Sequence, residues 1–150
     1  MRTWATISLL ACLAAAGAGW MLSAPKPVVA AVSPALEQGG DAGRGKLFFD
    51  VRGCASCHAT PGQGDRLNLG GGLELKSPFG SFIAPNISSH KTDGIGGWTV
   101  ADLVNAMKAG VSPSGDHYYP AFPYTTYANA GMEDIRDLMA YLRTLPPVAG

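Results

Sequence analysis

Residues 53–59 read GCASCHA, and the cysteine pair in this stretch decides what kind of protein the chain can be. Two cysteines separated by two residues can bind a metal, exchange a disulfide or attach a haem. Each of these chemistries needs a different protein around the pair. The residue after the second cysteine, His58, and the pattern of the rest of the chain distinguish among them.

The pair is poorly suited to zinc binding or to dithiol exchange. A structural zinc site has four ligands, often as two spaced pairs, and only His90 and His117 could join the cysteines. A thioredoxin-like dithiol is expected near a βαβ pattern, whereas residues 41–53 have the spacing of a helix. A plain disulfide would close a two-residue loop and therefore constrain the unfolded chain very little.

Covalent haem attachment fits the same residues better. In a CxxCH motif both thiols add to the vinyl groups of haem, and the adjacent histidine becomes the proximal ligand of the iron. The motif therefore predicts that Cys54 and Cys57 attach a haem c and that His58 binds its iron. Since the chain contains one CxxCH, we expect one haem.

The segment before the motif is predicted to be a helix that leads directly into it. Asp41 can serve as its N-cap, and Leu47, Phe48 and Val51 recur at helical spacing. The remaining cysteine, Cys12, lies in an apolar stretch and is predicted to act there as a small hydrophobic residue.

Two further helices are predicted, separated by long loops. One follows Thr99, whose side chain can form a variant of the capping box, and ends at Gly110. The other spans residues 132–145 and ends at a Pro-Pro pair. Residues 59–97 are rich in glycine and proline and are predicted to be mostly loop. Three helices joined in this way bury little apolar surface, so an all-α domain of this kind needs a large flat apolar cofactor at its centre.

The N-terminus indicates export. Residues 3–24 carry no charge and follow Arg2, a pattern shared by secretory signals and membrane-spanning helices. Cleavage after Ala30 and retention as an anchor both stay open. The predicted organisation is a signal or anchor over 1–30, a linker over 31–40 and a cytochrome-type domain over 41–147.

The charge of the chain does not favour nucleic acid as a partner. Lysine and arginine number 11, as do aspartate and glutamate. Because no basic cluster stands out, neither nucleic-acid binding nor strong electrostatic steering is expected.

At this point the chain resembles the class I cytochromes c over about residues 41–146. The resemblance rests on GCASCH, on the preceding helix with Gly45 and Phe48/Phe49, and on APNI at 84–87. It implies the class I fold, with three main helices and long loops around one covalently bound haem. It also implies that the carbonyl of Pro85 accepts the Nδ1 proton of His58, a contact that orients a metal-binding ring.

A narrower resemblance is to the cytochrome domains of membrane-associated bacterial dehydrogenase complexes, of the alcohol and gluconate type. Those domains usually occur two or three to a chain, and here there is one. The similar runs are LGGGLELKSPFGSFIAPNIS at 69–88, TDGIGGW at 92–98, HYYPAFPYTTY at 117–127 and AYLRTLPPV at 140–148.

The distal ligand of the iron is the open point of this resemblance. The related domains often have a methionine in the register of Ala130, and Met132 is the nearest substitute. His117 is the rival, and an iron without a strong second protein ligand is the third possibility. Met107 and Met139 are predicted to pack in the core, and Trp98 is a candidate donor to a haem propionate.

The resemblance implies an electron carrier rather than an enzyme. It would act on the periplasmic side of the cytoplasmic membrane, between a dehydrogenase or other donor and another cytochrome or a terminal oxidase. One alternative is a haem enzyme or gas-binding sensor with an open distal site. The other is a haem-free dithiol or metal protein.

Overall fold

The computed structural model describes residues 2–150, with the backbone alone for Arg2, and is predominantly helical. The described residues form six α-helices and one two-stranded hairpin. The helices are α1 Arg2–Ser23, α2 Pro34–Glu37, α3 Ala42–Arg52, α4 Cys54–His58, α5 Val100–Ala109 and α6 Met132–Leu142, and a 3-10 turn spans Tyr124–Tyr127. The strands are β1 Glu74–Ser77 and β2 Gly80–Ile83.

The hairpin corrects the prediction of an all-α domain whose residues 59–97 are loop. The two strands pair antiparallel, from Glu74 opposite Ile83 to Ser77 opposite Gly80. Gly80 has a φ of +125°, which an L side chain rarely adopts, so glycine permits the reversal. Each strand has only four residues and is largely exposed, and so short a strand leaves little periodicity to read.

The packing of α3 against α6 forms the base of the domain. Gly45 lies so close to α6 that an added Cβ would stand 1.9 Å from the carbonyl oxygen of Asp137. One turn later Phe49 is buried and meets Tyr141 edge to face, with 5.3 Å between the ring centroids. Small and aromatic residues four apart therefore build the contact face of α3.

The predicted apolar face of α3 is wrong in part. Leu47 and Val51 are 65% and 73% exposed, whereas Phe49 is 2% exposed. The periodicity of the apolar residues allowed more than one face, and the close approach at Gly45 selects the face that holds Phe49.

The other two predicted helices are present with small changes. Thr99 forms the expected capping box with Asp102, and α5 ends at Gly110 in the left-handed conformation. The last helix begins at Met132 as predicted but ends at Leu142, three residues early. Both helices bury apolar residues in one core, which includes Met107 and Met139 as predicted.

The N-terminal helix α1 stands apart from this core. Its residues Thr3–Ser23 are long and apolar enough to cross a membrane by length and composition, and none of that stretch is buried in the protein. The segment between α1 and α3, which includes the predicted linker over 31–40, contacts α5 and α6.

Candidate haem-attachment site

Gly53 sets up the site by turning the chain between α3 and α4. Its φ of +65° is left-handed, and its N–H bonds to the carbonyls of Asp50 and Phe49, which ends α3. The next residue, Cys54, begins the short helix α4, and Ser56 bonds back to the carbonyl of Gly53. The glycine before the first cysteine thus allows one helix to follow another with a sharp change of direction.

The two cysteines of α4 are not joined to each other. Both are free thiols and both are half-buried. Burial raises the pKa of Cys54 to about 11, whereas the attacking cysteine of a dithiol exchanger has a lowered pKa. The environment therefore argues against a redox-active dithiol.

His58 is oriented by a residue 27 positions away. Its Nδ1 lies 2.9 Å from the carbonyl oxygen of Pro85, and because a carbonyl only accepts, Nδ1 carries the proton. This is the contact that the resemblance implies. Burial lowers the pKa of His58 more than the hydrogen bond to Pro85 raises it, so the neutral imidazole is favoured. Its Nε2 then has a free lone pair that can bind a metal.

Gly71 lies close against the Pro85 carbonyl, and sequence reasoning did not single it out. Its N–H bonds to the carbonyl of His58 at 2.9 Å. A Cβ on Gly71 would lie 2.3 Å from the oxygen of Ala84 and 2.6 Å from that of Pro85, and its φ is +71°. The run LGGG at 69–72 was the available signal, since consecutive glycines indicate close backbone approach.

Asn86 secures the same segment to the end of the chain and was also missed as a site residue. Its Nδ2 donates to the carbonyl of Val148 at 2.7 Å, and its Oδ1 accepts from the N–H of Ser88. The hydroxyl of Ser88, which is fully buried, also bonds to Val148. The Pro-Asn pair therefore has two roles: Pro85 orients the histidine and Asn86 fixes the position of Pro85.

Several partly buried apolar groups pack against the core. They come from α4 itself, from the segment after Pro85, and from the region before α6: Cys54, Ala55, Ile87, Trp98, Phe122 and Tyr127. The guanidinium of Arg52 lies 5.2 Å from the ring centroid of Phe48 and 5.9 Å from that of Tyr127. The role of Trp98 toward a propionate stays a prediction.

The two predicted distal ligands lie near the N-terminal segment. Met132 is 46% exposed and lines a groove together with residues 28–30, Ser33, Ala35 and Leu36. The Nε2 of His117 lies 2.8 Å from the carbonyl oxygen of Ser23, at the end of α1. Ala130 is buried, and its side chain carries no donor atom.

These residues fit a haem c better than a bare metal ion. Within residues 2–150, no group of three or more histidine, cysteine, aspartate or glutamate side chains could hold a metal ion. Two free thiols, one neutral and oriented imidazole and a partly buried apolar surface are what covalent attachment of haem requires. Cys54 and Cys57 would carry the covalent bonds, and His58 would bind the iron through Nε2.

Comparison with known proteins agrees with this chemistry. The sequence model of the family described as Cytochrome c matches residues 42–146. A "Diheme cytochrome c-type" protein of Cereibacter sphaeroides is 49% identical over 98% of this chain and 50% of its own length. An alignment of that extent includes most of the N-terminal segment.

Other relatives match the domain alone. The "Gluconate 2-dehydrogenase cytochrome c subunit" of Pantoea cypripedii is 36% identical over 71% of this chain and 24% of its own length. The "Fructose dehydrogenase cytochrome subunit" of Gluconobacter japonicus is 36% identical over 67% of this chain and 20% of its own length. The chain thus spans half or less of the length of these relatives.

Proposed function

The chain belongs to the cytochrome c family, and on that premise we propose that it is a mono-haem cytochrome carrying single electrons on the periplasmic side of the cytoplasmic membrane. The single CxxCH supports one haem per chain, although one relative is named a dihaem protein. The export signature of residues 3–24 and the length of α1 support the location.

One observation carries the proposal. The carbonyl of Pro85 orients His58 so that the lone pair of Nε2 is free to bind iron, and the same short helix has two free thiols. When bound, a haem supplies the one-electron change between ferrous and ferric iron. The chain's own residues then have three tasks. The thiols would hold the group covalently, His58 would bind its iron through Nε2, and partly buried apolar side chains would lower the local dielectric.

We propose the class I arrangement for the fold around this site. In this assignment α3, α5 and α6 are the three main helices, and the β1–β2 hairpin is an addition to them. The α3–α6 crossing at Gly45 and the core shared by α5 and α6 support it.

The proposed partners are other redox proteins. Relatives named as cytochrome subunits of gluconate, fructose and alcohol dehydrogenases support a dehydrogenase as electron donor. Another cytochrome or a terminal oxidase would then accept the electron. The chain would act as an electron-transfer subunit and not as a catalyst of its own.

Met132 remains the candidate for the second axial ligand. It is half-exposed, whereas Met107 and Met139 are buried in the core. Met132 lines a groove together with residues 28–30, Ser33, Ala35 and Leu36.

A second candidate function, a haem that binds a small exogenous ligand, has one observation in its favour. His117 contacts the carbonyl of Ser23, and Met132 lines a groove that part of the N-terminal segment also lines. An iron with His58 as its sole strong protein ligand would be open to carbon monoxide or cyanide.

Difference spectra of the purified full chain separate the two functions. An electron carrier with two protein ligands gives a reversible reduced-minus-oxidised spectrum that added carbon monoxide does not change. A carbon monoxide adduct that forms within the mixing time would contradict electron transfer by a haem with two protein ligands. It would support a haem that binds a small exogenous ligand.

A further inference from the structure

The segment between α1 and α3 contacts the domain at several points, although its composition is typical of a linker. Residues 25–40 are rich in proline, alanine, glycine and valine, and such stretches often move freely. Here three independent sets of contacts join it to α5 and α6, and we call residues 24–41 the strap.

The first contact is a reciprocal pair of hydrogen bonds between the strap and α5. The N–H of Val29 donates to Oδ1 of Asn105 at 2.8 Å, and Nδ2 of Asn105 donates to the carbonyl of Val29 at 2.9 Å. One side-chain amide therefore satisfies both backbone groups of one extended residue, as a neighbouring strand would. The side chain of Val29 also packs against the core.

The second contact completes the N-terminus of α5. The carboxylate of Glu37 accepts from the N–H groups of Val100 at 3.0 Å and Ala101 at 3.2 Å. The hydroxyl of Thr99 accepts from the N–H of Asp102, and the carboxylate of Asp102 accepts from the N–H of Thr99. The first N–H groups of a helix lack partners within the helix and favour negative charge, so Glu37 supplies from the strap what α5 itself lacks.

The third contact joins the strap to α6. The N–H of Asp41 donates to Oδ1 of the buried Asp137 at 2.8 Å. At Gly40 the chains are so close that a Cβ would lie 2.9 Å from the carbonyl oxygen of Arg136. Leu36, the residue before Glu37, also packs against the core.

The strap begins where α1 ends, and this junction is also bound to the domain. The Nε2 of His117 lies 2.8 Å from the carbonyl of Ser23, the last residue of α1. The final carbonyls of a helix lack intrahelical partners, and the imidazole supplies one. Residues 3–23 of α1 are uncharged, and no other part of the chain that the structure describes buries them. A lipid bilayer is the partner of matching chemistry.

We propose that the strap is a docked part of the folded domain, and that α1 is retained as a membrane anchor which holds the domain in one orientation. Cleavage after Ala30 would remove Val29 and the Ser23 contact from the domain. A retained and docked strap fixes the distance between the bilayer and the site around His58, whereas a free tether would let the domain tumble. The inference does not depend on the presence of haem.

Two measurements on the full chain test the proposal together. The first is the intact mass of the protein extracted from its membrane. A chain that still contains residues 3–23 is expected, and a mature chain that starts at Ala31 overturns the proposal.

The second measurement is hydrogen exchange of the full chain in lipid nanodiscs, read by mass spectrometry. The backbone of residues 28–41 is expected to exchange far more slowly than the exposed loop 61–65. The variant Asn105→Ala should speed exchange around Val29 by on the order of tenfold, as for the loss of one or two hydrogen bonds. The variant Glu37→Gln, which changes only the strap, should speed hydrogen exchange at the N–H groups of Val100 and Ala101.

Matched controls make both outcomes readable. Asn129→Ala and Glu74→Gln change exposed residues of the same types and are expected to leave the exchange of the strap unchanged. If residues 28–41 exchange as fast as the exposed loop, or if the controls act as strongly as the strap variants, the proposal is wrong. Because Glu37→Gln lies outside α5, its result stands even if Asn105→Ala fails to fold.

Discussion

The carbonyl oxygen of Pro85 accepts a hydrogen bond from Nδ1 of His58 at 2.9 Å. This contact fixes the tautomer of the imidazole, because the proton on Nδ1 leaves the lone pair on Nε2. It also joins the CxxCH helix to a segment that Asn86 bonds to Val148 and against which Gly71 packs closely. A change on either side of this contact should therefore alter the iron ligand itself.

Gly71→Ala is expected to displace the Pro85 carbonyl. The new Cβ would lie 2.3 Å from the oxygen of Ala84 and 2.6 Å from that of Pro85, both backbone atoms. A His58 that loses its hydrogen bond is a less basic iron ligand, so the reduction potential should rise. A redox titration followed in the visible spectrum measures this.

Gly62→Ala is the matched control for that variant. Gly62 has a similar φ of +78°, and its added Cβ would meet nothing within 4 Å. Both variants carry the strain of a left-handed alanine, about 1–2 kcal/mol. If the two shift the potential equally, the Pro85 carbonyl does not tune His58 through Gly71.

Met132→Ala tests the second axial ligand. If Met132 binds the iron, the variant loses the long-wavelength band that an iron–sulfur bond gives in the oxidised spectrum, while the haem stays covalently bound. His117→Ala serves as the comparison, since its ring contacts the carbonyl of Ser23. An unchanged spectrum in Met132→Ala and a changed one in His117→Ala would reassign the ligand to His117, and no change in either would support the open distal site.

Gly45→Ala should destabilise the domain through the α3–α6 crossing. The Cβ would stand 1.9 Å from the carbonyl oxygen of Asp137 and 2.9 Å from Cβ of Tyr141. We expect a loss of about 3 kcal/mol in the free energy of unfolding, the upper part of the usual cost of overpacking. Gly43→Ala, in the same helix, meets only the side chain of Asp41 at 3.1 Å. A denaturant titration that finds equal losses for the two variants would contradict the role of Gly45.

Asp137 should make the stability of the domain depend on pH in the acid range. Burial raises the pKa of its carboxyl, but the hydrogen bond from Arg44, the N–H of Asp41 and the charges of Arg44 and Arg136 together hold that pKa below its ordinary value. The folded state therefore binds this proton less tightly than the unfolded state does. The contribution of the Asp137 carboxylate to the free energy of unfolding is fully present above the unfolded pKa of about 4. It is lost as the pH falls through the lower folded pKa.

Asp137→Asn is expected to remove that part of the acid dependence. It should also lower the free energy of unfolding at neutral pH by about 1–3 kcal/mol, because charged hydrogen-bond partners are lost. Asp50→Asn breaks an exposed pair with Lys46 in α3 and should change the free energy of unfolding very little, because solvent screens exposed ion pairs. If the pH profiles of the two variants superimpose, Asp137 is not the responsible carboxyl.

The local chemistry of the site could be predicted from sequence because it lies in six consecutive residues. The cysteine spacing and His58 are sufficient to indicate haem attachment, and the caps at Asp41 and Thr99 are local as well. The bond from His58 to Pro85 spans 27 residues and followed only from the resemblance to a family.

What sequence reasoning missed depends on which surfaces meet in space. The pattern of α3 did not reveal that Gly45 would select the face with Phe49 and leave Leu47 exposed. The strap has the composition of a linker, and its docking is due to Asn105, which reads as an ordinary polar residue of α5. Glu37 caps a helix that starts 63 residues later, beyond the reach of any capping pattern.

The central claim is that Cys54 and Cys57 carry one covalently bound haem above His58. The most direct test is the intact mass of the denatured protein, together with a haem stain after denaturing electrophoresis. The account predicts a mass increase of one haem per chain and a stained band, both absent from the Cys54→Ser, Cys57→Ser double variant. A wild-type chain expressed with a working haem-attachment system that shows neither the added mass nor the stain would contradict it.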